Sequence, residues 1–546
     1  MTAYFIGVDV GTASARAGVF DARGSMLATA KRDIMLFREG AQMVEQSSEN
    51  IWQAVCAAVK DAVSQSGIAP DRIAGIGFDA TCSLVVLGDG GAPLPVGSSE
   101  SPERNIIVWM DHRAVDQAAR INRTGHEVLR YVGGRISPEM ETPKLLWLKE
   151  NRPAVFEGAW QFFDLADFLT WKASGSLARS SCTLTCKWTY LAHEKRFDPA
   201  YFAAIGLGEL ADEGFARIGS QVVDPGTALG AGLTLQAAEE LGLVPGTAVA
   251  AGLIDAHAGG VGTVGIAPPG QSDSDPTRTM AYVFGTSSCT MTTTAQPAFV
   301  PGVWGPYYSA MIPGSWLNEG GQSAAGAAID HLVRHHPASD EAARAAADAG
   351  KSVPEWLADR ASERVDTPSA AVRLAGRIHV VPEFLGNRAP FADPEARAVI
   401  AGLGMDDGVD QLVALYIAGL CGLGYGLRQI IKAQTEHGAA VQAIAISGGA
   451  GRHPLVRQLL ADASGLPVIA TSSEEPVLLG SAILGAVAAQ AYSSIPEAMA
   501  EMTSTDRTYV PASGDIAERH AHRFEAFETL QTAARTVGKA GERFAR

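Results

Sequence analysis

The chain has 546 residues, of which 47% are hydrophobic and 19% charged, and 59 acidic residues against 43 Lys and Arg give a net charge of −16. This composition is ordinary for a globular enzyme whose length suffices for two large cores. Because an acidic chain without a Lys/Arg-rich tract repels phosphate backbones and anionic lipid, neither nucleic acid nor a membrane is expected as a partner.

Cellular location is predicted from the N-terminus and from cysteine use. The N-terminus lacks the basic and apolar regions of a signal peptide, and six cysteines are sparse for this length, so a cytoplasmic protein is expected. The most apolar stretch, 412–427, is too short to span a bilayer and predicts a buried helix. Cys182 and Cys186 are close in sequence, but no neighbouring Cys or His completes a metal set. Structural or pocket-lining thiols are therefore favoured over zinc.

The predicted elements begin with two short strands, 4–8 and 16–20, which flank a Gly-Thr turn in a hairpin pattern. A third strand at 26–30, an amphipathic helix at 48–64 and a strand at 73–78 follow. This β-β-β-α-β order differs from a dinucleotide-binding fold. Neither a G-x-G-x-x-G nor a P-loop motif stands at a strand–helix junction.

The second half of the chain repeats this order of elements. Strands at 280–284 and 289–293 flank a second Gly-Thr turn, and a long helix at 410–434 precedes a strand at 443–446. The Gly/Pro/Ser/Asp-rich stretch 262–279 marks a boundary. We therefore expect an N-terminal lobe at 1–265, a C-terminal lobe at 276–500 with a helical insertion at about 327–372, and a helical tail at 501–546.

Three small-residue turns are predicted to bind a nucleotide. Such turns let backbone N–H groups approach phosphate oxygens closely, and Thr and Ser hydroxyls add donors. The third turn follows the strand at 443–446 and could pack flat backbone against a base, although Gly-rich turns are common after strands. The nucleotide-binding residues predicted in this way are Gly11, Thr12, Ser14, Gly285, Thr286, Ser287, Gly448, Gly449 and Ala450.

Two carboxylates are candidates for chemistry and for metal binding. Asp9 lies at the mouth of the first turn, where a cation such as Mg²⁺ has to separate it from bound phosphates; the alternative is a turn Asp that caps its own backbone. Asp255 lies in a Gly/Ala-rich stretch open to close approach, and it is the candidate general base for phosphoryl transfer to an alcohol. Its alternative role is a helix N-cap. From local sequence alone, Lys187 and Glu319 are more typical of a surface lysine and a capping acid.

Six segments, in order along about residues 4–500, resemble the FGGY carbohydrate kinase family of the actin-like ATPase superfamily. They are 7–12, 142–148, 252–255, 285–287, 447–450 with 459–462, and 479–482. The resemblance implies an α/β fold with two actin-like, ribonuclease H-like lobes around a catalytic cleft. It also implies ATP and Mg²⁺ at that cleft and a small-molecule sugar as the acceptor.

Residues 78–86, 109–114 and 386–394 are similar to the pentulose-kinase branch, in particular to D-ribulokinase-type enzymes. This similarity implies that Asp255 accepts the proton of the O5 hydroxyl of a ketopentose. D-ribulose is the expected substrate, and L-ribulose, xylulose and ribitol are alternatives. An actin- or chaperone-like ATPase switch without a sugar is the alternative of another class, and analogy favours a homodimer. The implied sugar pocket comprises Thr81, Cys82, Lys187, Asp255 and Glu319, with Trp109 and Asp111 at its border.

Overall fold

Two large β-sheets with related strand orders, packed with helices, form the framework of this α/β protein. The computed structural model describes residues 3–40, 42–271 and 273–542. The strands of the first half are β1 (Tyr4–Val10), β2 (Ser14–Asp21), β3 (Met26–Asp33), β4 (Phe37–Glu39), β5 (Met43–Gln46), β6 (Ile73–Ala80), β7 (Leu84–Leu87), β8 (Ile106–Ile107), β9 (Gln161–Asp164), β10 (Arg179–Ser180), β11 (Val222–Val223), β12 (Ala248–Val249) and β13 (Leu253–Ile254). Its helices are α1 (Ser48–Ser66), α2 (Val115–Arg123), α3 (Glu141–Asn151), α4 (Pro153–Gly158), α5 (Leu165–Ser174), α6 (Ser181–Lys187), α7 (Pro199–Ala204), α8 (Gly208–Asp212), α9 (Leu235–Leu241) and α10 (Asp255–Val261).

The second half has its own large sheet and a longer set of helices. Its strands are β14 (Thr279–Phe284), β15 (Ser288–Thr294), β16 (Trp304–Tyr308), β17 (Trp316–Gln322), β18 (His379–Val381), β19 (Val399–Ala401), β20 (Ala443–Ser447), β21 (Val468–Thr471) and β22 (Thr505–Tyr509). Its helices are α11 (Gly326–Arg334), α12 (Ser339–Asp348), α13 (Val353–Ser362), α14 (Val409–Glu436), α15 (Pro454–Ser464), α16 (Pro476–Ala488), α17 (Ile495–Met502) and α18 (Asp515–Glu542).

The two large sheets share one topology. In the first, the order is β12-β6-β1-β2-β3; β2 is antiparallel to β1 and β3, and β6 runs parallel to β1 and to β12. In the second, β17-β15-β14-β20-β21 repeats this order and these directions, with β16 and β22 added at the edges. The repeat predicted from the order of elements is therefore confirmed, including both hairpins that carry the Gly-Thr turns.

Helix α16 joins the two halves, because it follows the C-terminal sheet in sequence but packs on the N-terminal one. A Cβ at Gly77 of β6 would lie 2.0 Å from the Ser481 carbonyl oxygen, and a Cβ at Gly480 would lie 1.9 Å from that of Ala258 in α10. Only glycine permits such close approach of backbones. The linear boundary predicted near residue 265 therefore does not describe the packing of this helix.

The long apolar helix predicted near 410–434 is α14. Its length and composition would suffice to cross a membrane, but 78% of its most apolar window is buried within the protein. It lies in the core of the C-terminal lobe with Leu412, Ile417 and Leu427 fully buried. This helix is therefore part of a core, as the sequence predicts.

Helices occupy most of the two segments predicted as a helical insertion, about 327–372, and a helical tail, 501–546. Helices α11, α12 and α13 occupy most of the segment predicted as helical at about 327–372, and α18 forms the tail helix. The helical tail begins later than residue 501, because β22 precedes α18 and pairs with β21. Residues 543–546 of the predicted tail lie outside the described residues.

Candidate active site

The carboxyl ends of three parallel strands bring the predicted acids to one edge of the N-terminal sheet. Asp9 near the end of β1 is the register partner of Asp79 in β6, and Leu253 of β13 is also paired with Asp79. Asp255 follows β13 directly as the first residue of α10. In open α/β sheets, ligands bind beyond the carboxyl ends of the strands. Asp9, Asp79 and Asp255 therefore line the floor of the cleft.

The three carboxyl groups have different partners. Asp9 is almost fully buried and is held by Arg16 through its Nε at 2.7 Å, while Arg16 Nη1 contacts Glu475 at 2.6 Å. Asp79 is fully buried and accepts a hydrogen bond from Ser481, while its Oδ1 has no hydrogen-bond partner within the described part of the chain. Burial and the neighbouring Asp9 raise the pKa of Asp79 well above its usual range.

Asp255 has a pKa that its surroundings raise toward neutral pH. Burial in the cleft and the charge of Asp9 raise its pKa to about 6, while the Ala256 N–H, His257 and Lys187 act in the opposite direction. Its side chain stays partly exposed to the cleft. A base with this pKa is ionised at neutral pH and accepts a proton more readily than an ordinary carboxylate. Asp255 thus has the properties that the predicted general base requires.

The predicted phosphate turns face the cleft from both lobes. In the first, between β1 and β2, the Gly11 N–H donates to the Ser14 carbonyl at 3.0 Å, and the Thr12 hydroxyl accepts from the Trp109 indole at 3.0 Å. In the second, between β14 and β15, the Gly285 N–H donates to the Ser287 carbonyl at 3.0 Å. The exposed Thr286 leaves its hydroxyl accessible at the tip of this turn.

A cavity of about 240 Å³ lies beside the Gly-rich turn after β20 and is lined on its other sides by residues of α11, α13 and α14. Gly448 has φ +95°, and a Cβ there would lie 2.4 Å from the Phe284 carbonyl oxygen, so this turn requires glycine. Gly449 and Ala450 are exposed at the cavity wall. The wall combines apolar side chains with polar and charged ones, among them Asp330 and Arg452, and such a mixture can hold a planar base and hydrogen-bond its edge. The lining residues also include Ile329, Tyr416, Ser352, Glu355 and His453.

Lys187 and Glu319 enter the cleft from opposite lobes. Lys187 ends α6, is 6% exposed, and places its Nζ 5.4 Å from the centre of the Trp304 ring. Trp304 and Glu319 are register partners on β16 and β17. Among the described residues, no carboxylate oxygen lies within 4 Å of the Lys187 ammonium, so its donors are available to a ligand. Although burial opposes charge, Cys82 and Glu319 raise the pKa of Lys187 well above its usual range.

The remaining predicted sugar-pocket residues divide into two groups. Thr81 and Cys82 are nearly buried just beyond β6, where the Thr81 N–H donates to the Val10 carbonyl. Asp111, by contrast, is fully buried in ion pairs with Arg113, whose Nη2 also contacts Glu45 at 2.8 Å. Asp111 therefore stabilises the wall behind the pocket rather than offering free oxygens to a ligand.

From the sequence, no Cys or His near Cys182 and Cys186 is expected to complete a metal site, but the fold brings His257 next to them. His257, from α10, places its Nδ1 3.1 Å from the Cys182 Sγ, and its Nε2 lies 3.5 Å from Glu319 Oε2. Although burial opposes it, the contacts with Cys186 and His257 lower the pKa of Cys182 to about 5. No local sequence spacing could reveal this contact, because 75 residues separate the two side chains.

Sequence reasoning missed three further residues of the cleft. Asp79 could have been found, since it ends a buried strand as Asp9 does. Arg388 could also have been found, since it lies in the segment 386–394 that resembles the pentulose-kinase branch. Trp304 could not, because its neighbours in the cleft lie far along the chain. The Arg388 guanidinium lies 5.8 Å from the centre of the Trp304 ring and donates to Cys289 at 3.7 Å.

The comparisons with known proteins agree with this geometry. The N-terminal domain of the FGGY family of carbohydrate kinases matches residues 4–262, and the C-terminal domain of that family matches residues 280–489. The chain belongs to the FGGY carbohydrate kinase family. This FGGY kinase is 46% identical over 517 residues to the human FGGY carbohydrate kinase domain-containing protein, covering 94% of this chain and 93% of the relative.

A second relative and two solved structures of sugar kinases are also similar to this chain. The kinase is 39% identical over 514 residues to a D-ribulokinase of Saccharomyces cerevisiae, covering 89% of this chain and 72% of that protein. A xylulose kinase from Rhodospirillum rubrum superimposes with a TM-score of 0.79 at 22% identity, covering 98% of this chain and all of the other. A gluconate kinase from Lactobacillus acidophilus gives 0.79 at 20% identity, covering 99% and 100%. The two-lobe actin-like fold and a sugar phosphotransferase activity follow from these matches.

The residues of the cleft floor fit a divalent metal. FGGY carbohydrate kinases use ATP with such a metal, and hard cations such as Mg²⁺ prefer carboxylate oxygens and water. Asp9, Asp79 and Asp255 supply such oxygens, and no described residue hydrogen-bonds to the Asp79 Oδ1. The Arg16 contact on Asp9 shows that this carboxylate already sits beside a positive charge.

Proposed function

We propose that this FGGY kinase transfers the γ-phosphoryl group of ATP to the terminal O5 hydroxyl of a ketopentose, with D-ribulose as its preferred substrate. The observation that carries the proposal is Asp255, the first residue of α10, whose pKa burial and the nearby Asp9 raise to about 6 and on whose charge Lys187 also acts. Similarity to the yeast relative named D-ribulokinase supports the choice of sugar. We further propose a cytoplasmic location and a homodimer, both by analogy.

In the proposed mechanism, the sugar binds against the N-terminal lobe. The ammonium of Lys187 and the carboxylate of Glu319 hold its hydroxyl and carbonyl oxygens, with Thr81 and Cys82 forming the adjoining wall. Burial opposes ionisation of Glu319, yet His257 and Lys187 lower its pKa to about 2, so it stays an acceptor for hydroxyl donors. A fixed anion and a fixed cation on opposite lobes orient a polyhydroxy substrate.

The nucleotide then occupies the cleft between the lobes. Backbone N–H groups of the turns at Gly11–Ser14 and Gly285–Ser287 contact its phosphates, and its base enters the cavity beside Gly449 and Ala450. Asp255 accepts the O5 proton as the new O–P bond forms. Closure of the lobes excludes water, which would otherwise compete as the acceptor.

A magnesium ion, when bound, neutralises phosphate charge, and Asp9 and Asp255 are the residues that we propose to hold it, with Asp79 beside them. Mg²⁺ is the cation that this oxygen-rich donor set favours among biological divalent metals. Arg16 orients Asp9 through its Nε at 2.7 Å, and although burial opposes it, Asp9 and Glu475 raise the pKa of the Arg16 guanidinium.

Replacing Asp255 tests the proposed base. Asp255→Asn keeps the size of the side chain but cannot accept the proton, so we expect kcat to fall by about 10²- to 10⁴-fold. The Mg²⁺ concentration needed for half-maximal activity should rise, because Asp255 is also a proposed ligand of the metal, and the thermal melting curve should be that of a folded protein. Asp348→Asn is the matched control, because Asp348 is exposed at the end of α12. An Asp255→Asn enzyme within tenfold of wild type would reject this role.

A further inference from the structure

Two thiols and one imidazole form a buried cluster behind the sugar pocket. Cys182 and Cys186 are one turn apart on α6, so they share a helix face, and His257 approaches from α10. All three side chains are fully buried. One ligand atom from each, the two sulfurs and an imidazole nitrogen, lies within 4.8 Å of the other two.

We propose that Cys182, Cys186 and His257 bind one zinc-class cation, at a site separate from the magnesium site on the cleft floor. Thiolate and imidazole ligands select zinc-like or softer metals, whereas Mg²⁺ takes oxygen ligands. The two sites therefore differ in chemistry as well as in position. Cation binding at this cluster does not depend on which sugar the enzyme phosphorylates.

The spacing of the ligand atoms suits such a cation. Bonds of about 2.3 Å to sulfur and about 2.0 Å to nitrogen place bound ligand atoms roughly 3.5 to 4 Å apart. The Cys182 Sγ and His257 Nδ1 are 3.1 Å apart, so they need to separate by only a fraction of an ångström. Two ligands at i and i+4 on one helix face is the spacing by which paired histidines bind zinc in metalloproteases.

The surroundings of the cluster match those of bound metals. The outer nitrogen of His257 lies 3.5 Å from Glu319 Oε2, and a carboxylate behind an imidazole is the usual way in which proteins orient a metal-binding histidine. The Ile254 N–H donates to the Cys182 Sγ at 3.4 Å, which stabilises negative charge on that sulfur. Because zinc usually takes four ligands, a cation held by these three side chains would take one further ligand, such as water.

Binding would exchange protons for the metal and would connect two parts of the sugar pocket. The cation displaces the proton shared by Cys182 and His257 and the thiol proton of Cys186, so two protons leave as two metal–sulfur bonds and one metal–nitrogen bond form. Because α6 ends at Lys187 and α10 begins at Asp255, the bound cation would join the helices that carry these residues.

Cobalt replaces zinc as a spectroscopic probe of this site. Chelator-treated, full-length wild-type protein is titrated with Co²⁺, and thiolate-to-cobalt charge-transfer absorption is recorded together with the visible bands of tetrahedral Co²⁺. We expect saturation at one Co²⁺ per chain and loss of the bands when one equivalent of Zn²⁺ is added. Cys182→Ser and Cys186→Ser should each weaken cobalt binding by at least tenfold. Cys421→Ser, which alters a buried cysteine of α14, should leave it unchanged.

A second measurement needs no variant and so remains decisive if a serine variant fails to fold. X-ray absorption of the zinc-loaded wild-type protein should show two sulfur and at least one nitrogen neighbour. The proposal is overturned if wild-type protein gives no charge-transfer band with Co²⁺, or if zinc has only oxygen and nitrogen neighbours. It is also overturned if folded Cys182→Ser and Cys186→Ser proteins keep the wild-type bands, in which case the cluster is a hydrogen-bonded thiol–imidazole pair without a metal.

Discussion

Two carboxyl groups of the cleft, Asp255 and Glu319, have very different pKa values. Burial beside Asp9 raises the pKa of Asp255 to about 6, whereas His257 and Lys187 outweigh burial and lower the pKa of Glu319 to about 2. One group is thus suited to exchange a proton near neutral pH and the other to remain a fixed anion. Asp255 could be predicted from its small-residue surroundings, but the environment of Glu319 could not, because it depends on residues from another lobe.

The pKa of Asp255 predicts the pH dependence of catalysis. A general base acts only when deprotonated, so kcat/KM should be constant above the pKa and fall about tenfold per pH unit below about 6. The measurement is kcat/KM for the best sugar between about pH 5 and 8, with ATP and metal saturating. A profile that stays flat down to pH 5, while the enzyme remains folded, would exclude a base with this pKa.

At the scale of elements, local patterns predicted both hairpins, α1, α14 and β20 to within a few residues. They could not predict where α16 packs, because its contacts with Gly77 and Ala258 join segments hundreds of residues apart. The same holds for the tail helix α18, because its helical period is visible in the sequence but the segment against which it packs is not. In the structure α18 contacts the segment 386–394, which carries Arg388.

A buried amide network connects α18 to this segment. Gln531 is 2% exposed and donates to Glu383 Oε1 at 2.6 Å, the same oxygen that accepts from Asn387 Nδ2. It also exchanges hydrogen bonds with Gln429 at 2.9 and 3.1 Å. One turn further along α18, the Arg535 guanidinium lies 3.6 Å from the centre of the Phe391 ring. The tail helix therefore positions the segment that carries Arg388.

Gln531→Leu is expected to weaken sugar binding from a distance. It keeps side-chain volume but leaves buried acceptors unpaired, which should cost about 1–3 kcal/mol of folding free energy. Arg388 lies beside Trp304, and Trp304 lies beside Lys187 of the proposed sugar pocket. Because the segment that carries Arg388 loosens, we expect the sugar KM to rise severalfold while the KM for ATP stays within twofold. Steady-state kinetics and thermal melting of this variant and of Thr532→Val, an exposed neighbour on α18, measure both effects. Equal changes in the two KM values would indicate general destabilisation instead.

At the scale of the whole molecule, two similar lobes meet at α10 and α16, and the functional residues lie where they meet. Each lobe supplies one phosphate turn, and the sugar-facing charges come from opposite lobes, so neither half forms the site alone. The duplicated order of elements was visible in sequence and predicted this arrangement. The tight backbone contacts of α10 with α16 were not, since they depend on packing at single glycines.

The acidic surface of the molecule has a consequence for its ligands. With a net charge of −16, the chain attracts an anionic nucleotide only through local donors and a divalent cation. ADP formation should therefore require Mg²⁺ together with ATP.

The most direct test of the central claim is ADP release from purified protein with ATP and Mg²⁺, measured against D- and L-ribulose, D- and L-xylulose, ribitol, arabitol and glycerol. The account predicts turnover that depends on added sugar and is strongest with D-ribulose. Preference for another pentulose or pentitol would contradict D-ribulose as the substrate but would be consistent with the proposed phosphoryl transfer. ADP release that is the same with and without every sugar would contradict the kinase itself and favour an ATPase switch.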